Sequence, residues 1–102
     1  MRIFLRECDD TVTASTEKME WDLFESLKES FYQRHQSSDI SDTGGLVKFI
    51  SGPFETHFIH EEDLCYIKFV IVKEMKEDLL EVLDQVLTSL DKDTEEVVVK
   101  VF

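Results

Sequence analysis

His57, His60 and the run Glu61-Glu62-Asp63 bring together the residue types of a metal site or of acid–base chemistry. Their spacing argues against both. On a strand, residues three apart point to opposite faces, so the two imidazoles diverge, whereas zinc takes three or four converging ligands. The stretch reads as a solvated strand end, and no metal is expected. Cys8 and Cys65 are the only thiols, and both fall in strand-like stretches of an acidic chain that offers no clear positive neighbour to activate them. They are expected to be buried and inert. No serine, histidine and carboxylate share a recognisable frame, and Gly44-Gly45 leads into a strand, not into the helix that a phosphate-binding glycine loop requires. No catalytic residue and no cofactor are expected, and the chain reads as a non-enzyme.

What remains is charge. The chain has 23 acidic against 11 basic residues in 102, a net charge of -12. Such a balance repels phosphate backbones and favours encounter with basic surfaces. Direct nucleic-acid binding is therefore not expected, and a basic protein partner is. The densest carboxylates are Glu77, Asp78, Glu81, Asp84 and Asp91 in a helical stretch, with Glu61, Glu62 and Asp63 in a turn before it. Glu77, Glu81 and Asp84 recur at four- and three-residue intervals, which places them in one stripe. These eight residues are the expected partner-binding surface.

The elements that must position them follow from periodicity. The length suits one domain, residues 1–102, and 42% hydrophobic content with eight Phe excludes a disordered chain. Leu64 to Lys73 is β-branched and aromatic with no Gly or Pro, so it predicts a central strand. Residues 2 to 8 predict a first strand. Thr11 to Thr16 offers helix caps, and Leu23, Phe24, Leu27 and Phe31 then predict an amphipathic helix from about Thr16 to His35. Gln36 to Gly45 is polar and predicts a mobile loop. Leu46 to Ile50 and Phe54 to His60 resume strand character, with a turn at Ser51-Gly52-Pro53 because Pro cannot donate to a ladder. From Met75 the period becomes 3.6, with Leu79, Val82, Leu83, Val86, Leu87 and Leu90 on one face. Val97 to Phe102 predicts a last strand. The longest uncharged apolar run, Phe69 to Val72, is far short of the roughly 20 residues of a membrane span. Met1 and Arg2 lead straight into a strand, so a cytoplasmic protein with no membrane contact is expected.

This order predicts an α+β two-layer sandwich: an antiparallel sheet of four or five strands with two helices on one face, ferredoxin-like βαββαβ or a close variant. Strand parity turns Ile3, Leu5, Ile67, Phe69 and Ile71 toward the helices and Phe4, Tyr66 and Val70 away. The second set is an alternative partner surface, and a homodimer through it is possible. Arg2, Arg6, Lys48 and Lys68 share that side as candidates for an anionic ligand.

Arg2-Ile3-Phe4-Leu5 resembles the first-strand signature of RNA-recognition motif domains, which implies the βαββαβ order and bases stacked on strand aromatics. The central strand lacks that family's Gly-aromatic-Gly pattern, and Tyr66 alone offers an exposed ring. The fold also resembles acylphosphatases, but Glu7 to Asp10 occupies the turn where their glycine loop would cradle phosphate. The function expected from charge is a small acidic, non-catalytic protein-binding domain. It would act as an inhibitor, or an immunity or anti-defence type protein, that neutralises a nuclease or other basic nucleic-acid enzyme. The alternatives are a small-molecule-binding or regulatory α+β domain and a self-associating structural subunit.

Overall fold

The computed structural model describes residues 2–36, 39–89 and 98–101. Its strands are β1 (Arg2–Cys8), β2 (Thr11–Thr16), β3 (Asp39–Thr43), β4 (Leu46–Ser51), β5 (Phe54–Glu61), β6 (Leu64–Val72) and β7 (Val98–Val101). Helix α1 (Trp21–Arg34) follows β2, and helix α2 (Lys76–Ser89) follows β6 through a 3₁₀ turn at Lys73–Met75. One sheet holds all seven strands in the order β3-β4-β5-β6-β2-β1-β7. The first six pair antiparallel, and β7 lies parallel to β1. β6 occupies the middle, as its β-branched and aromatic composition with no Gly or Pro predicts.

The strand count corrects the expectation of four or five. Two strands escape the periodicity reading, for different reasons. Thr11–Thr16 is a strand and not a set of helix caps: Val12, Ala14 and Thr16 are buried while Thr11, Thr13 and Ser15 face away. Asp9 permits the reversal before it by adopting φ 51°, a left-handed conformation that Asp tolerates better than most residues. Helix α1 accordingly starts at Trp21, five residues later than Thr16. In the stretch read as a mobile loop, Asp39–Thr43 pairs with β4 residue by residue although every one of its side chains is exposed. Ser37 and Ser38 lie outside the described residues. The two-residue turn Gly44-Gly45 makes this pairing, both glycines having positive φ as a tight hairpin requires. A side chain at Gly45 would place its Cβ against the His60 carbonyl oxygen.

Both helices cover the same face of the sheet. Phe24, Leu27 and Phe31 from α1 and Leu79, Leu83 and Val86 from α2 are buried against Ile3, Leu5, Ile67, Phe69 and Ile71. Parity along β1 and β6 is as predicted. Phe58 meets Phe49, Phe31 and Phe24 at centroid distances of 5.4, 5.5 and 6.0 Å. Each fully buried side chain of this size contributes about 1.5–3 kcal/mol. Side chains beyond Val86 in α2, Leu87 among them, are not described, and Leu90, Val97 and Phe102 lie outside the described residues.

Candidate functional site

Helix α2 turns its acidic side to solvent because Leu79, Leu83 and Val86 hold the other side in the core. Glu77, Asp78, Glu81 and Asp84 are all exposed. The only basic residue of α2 is Lys76, and it is turned back to Glu7 at 2.5 Å. This lysine, with Lys73 at 3.9 Å, holds the Glu7 carboxyl below its ordinary range. The outer stripe keeps no cation of its own: among the described residues Glu77, Asp78, Glu81 and Asp84 have no ion-pair partner. Gln85 donates to Glu81 at 3.3 Å and accepts from Arg34 of α1 at 2.6 Å, so an uncharged side chain links the two helices. Asp91 lies outside the described residues.

Glu61, Glu62 and Asp63 form the exposed turn between β5 and β6. They do not extend the α2 stripe from its start. The start of α2 is tied to the β1–β2 turn by the Lys73 N–H donating to the Asp10 carbonyl at 3.0 Å, beyond the far end of β6. The Glu61–Asp63 turn instead neighbours the entry to α1, where the Met19 N–H donates to the Cys65 carbonyl at 2.8 Å. Exposed Glu20 and Asp22 belong to that end. The expected single surface is thus two acidic clusters, one along α2 and one at the entry to α1.

Trp21 stands beside the second cluster, 48% exposed, with its ring edge-on to His60 at 4.6 Å and stacked on Phe24 at 5.6 Å. It lies off the Leu23, Phe24, Leu27 and Phe31 stripe, and the signal for its exposure is its place in the first turn, one residue after the helix cap Glu20. His57 lies on the opposite face and contacts Glu55 at 2.5 Å, while Lys48 reaches the same carboxylate at 3.0 Å. The histidine bond, then the lysine, hold Glu55 below the ordinary carboxylate range. The two imidazoles diverge, as their spacing predicts, and no three His, Cys, Asp or Glu side chains gather as metal ligands among the described residues.

The two thiols separate. Cys65 is buried at 3% exposure, as expected, but Cys8 is exposed at the end of β1, which corrects the reading of both as buried. Phe4, Tyr66 and Val70 are half-buried on the open face of the sheet. Lys48, Lys68 and Arg6 share that face by register, and the Arg2 side chain is not described. Between helices and sheet lies an apolar cavity of about 10 Å³ lined by Thr16, Phe31, Phe69 and Leu83 among others, room for about one water. No helix among the described residues is long and apolar enough to cross a membrane. Compared with known proteins, the chain matches no family model, no curated protein and no solved structure.

Proposed function

We propose that this chain is a small acidic, non-catalytic protein-binding domain that neutralises a basic partner through its helix layer. An inhibitor, or an immunity or anti-defence protein, acts in this way on a nuclease or other nucleic-acid enzyme. The observation that carries the reading is the uncompensated stripe Glu77, Glu81 and Asp84. Like charges four apart on a helix destabilise it by about 0.2–0.5 kcal/mol, and Lys76 is committed to Glu7. A basic partner supplies the missing counter-charge and gains association rate from it. Exposed Trp21, beside the second acidic cluster, offers the aromatic anchor that protein interfaces favour. We read the scaffold as an enlarged βαββαβ layout: β2, β5, β6 and β7 take the four strand positions, β1 is inserted beside β7, and β3-β4 extends the far edge.

The test is capture of partners at low and high salt, then association kinetics of the purified partner with wild type and with Glu77→Lys/Glu81→Lys/Asp84→Lys. Three reversals of two units each take the net charge from -12 to -6. Association should slow most at low ionic strength, with the circular dichroism spectrum unchanged. A partner that is neutral or acidic, binding indifferent to salt, or unchanged kinetics in the folded variant refutes the proposal. The small-molecule alternative gains no support from the water-sized cavity described above.

A further inference from the structure

The open face of the sheet carries a trough along β2. Its floor is the short side chains Thr11, Thr13 and Ser15. Register sets Arg6 and Val70 on either side of Thr13, and Phe4 and Lys68 on either side of Ser15. The walls, β1 and β6, are two strand spacings apart, about 9.5 Å. A helix laid along β2 on this face forms a further layer on the sheet, the way helices pack on strands.

The trough differs in charge from the rest of this acidic molecule. Arg6 and Lys68 have no ion-pair partner among the described residues, and Glu55, which the register sets beside Val70, is held by His57 and Lys48. Three of the large apolar side chains that solvent reaches lie on the same face: Val72 at 44%, Leu64 at 45% and Ile50 at 41%. A hydroxyl-lined floor between the apolar side chains Phe4, Val70 and Val72, with one cation on each wall, suits a helix that has an apolar stripe between carboxylates. We propose that this trough is a docking site for an acidic amphipathic helix of another protein, with carboxylates on its two flanks meeting Arg6 and Lys68. It is a second interface, independent of the acidic helix layer and opposite to it in sign.

Two other occupants fit less well. A polynucleotide meets, among the described side chains of this face, only Arg6 and Lys68 as unpaired cations, on a chain of net charge -12, which repels phosphate. A second copy of this chain offers α2 as an acidic amphipathic helix, but Leu79, Leu83 and Val86 are already buried in its own core.

The probe is a synthetic peptide of about 18 residues, five helical turns, with a leucine stripe flanked by glutamates. The same peptide with lysines, a single-stranded oligonucleotide and vesicles of anionic phospholipid are the other arms. Amide shifts in a two-dimensional NMR titration should gather on β1, β2 and β6 for the glutamate peptide alone. Arg6→Glu/Lys68→Glu should weaken that binding by about ten-fold or more. Thr13→Tyr, which fills the floor without changing charge, should weaken it as well, while the α2 triple reversal leaves it intact. Equal binding of the lysine peptide, shifts confined to the helices, binding of oligonucleotide or vesicles in its place, or a dimer that hides the face would overturn the proposal. So would a folded Arg6→Gln/Lys68→Gln variant that binds as well as wild type.

Discussion

Replacing Thr16 with valine should destabilise the protein although it makes a buried position more apolar. Thr16 is 5% exposed, and its Oγ1 accepts the backbone N–H of Ile67, itself 1% exposed, at 2.9 Å. The β2–β6 pairing reaches Ser15 and Lys68, so the next amide of β6 is satisfied by a side chain instead of by ladder continuation. Valine keeps the shape and removes the acceptor. An orphaned buried donor costs about 1–3 kcal/mol, and the hydroxyl-to-methyl exchange returns at most about 0.8 kcal/mol of transfer energy. The expected net loss is about 0.2–2 kcal/mol, at roughly 4–8 °C in Tm per kcal/mol for a domain near this size. Thr16→Ser keeps the acceptor and should lose less than valine. Equilibrium urea unfolding followed by Trp21 fluorescence measures both. A valine variant as stable as wild type, or a serine variant less stable than valine, would show that the Ile67 amide is not held in this way.

Thiol labelling of the native protein should modify Cys8 at once and Cys65 only on unfolding, one equivalent before denaturant and two after; two fast equivalents refute the burial of Cys65. The pH dependence of Glu55 has a definite sign. Its folded pKa lies below its unfolded one, so its contribution is complete above the unfolded value and is lost as the pH falls through the folded value. Wild type should therefore exceed Glu55→Gln in stability at about pH 6, and the gap should close toward about pH 3, as denaturant melts at each pH would record. A gap that widens on acidification contradicts the assignment.

How far the sequence reveals this fold depends on whether a residue's neighbours are local. β6 is legible because its nine residues are rich in β-branched and aromatic side chains with no Gly or Pro, and Cys65, Ile67, Phe69 and Ile71 alternate into the core. The α2 stripe is legible because a 3.6 period separates Leu79, Leu83 and Val86 from Glu77, Glu81 and Asp84 without reference to anything else. β2 is not, since Thr and Ser serve equally as caps and as the outward positions of a strand. β3 buries nothing, so hydrophobic patterning has no purchase on it, and only the Gly44-Gly45 turn signals its presence. The candidate site shows the same limit. Parity assigns Phe4, Tyr66 and Val70 to the open face, but the trough needs the register of β1 and β6 on either side of a strand that composition hides. The separation of Glu61–Asp63 from the start of α2 likewise depends on which end of β6 each element joins.

The hairpin turns also set an order of assembly. β3, β4, β5 and β6 are joined by three two-residue connections, so their pairings close small loops and can form early. β1 and β2 make a second local hairpin. Joining the two requires β2 to find β6, residues 51 apart in sequence at Thr16 and Ile67, with α1 in the intervening chain. That encounter is the slow, entropically expensive step, and destabilising changes confined to the β2–β6 seam should depress the refolding rate more than those within either hairpin. Until the seam closes, the four-stranded meander exposes its β6 edge, a row of unpaired amides and carbonyls beside the most apolar stretch of the chain, and it is the species most open to pairing with another copy during synthesis.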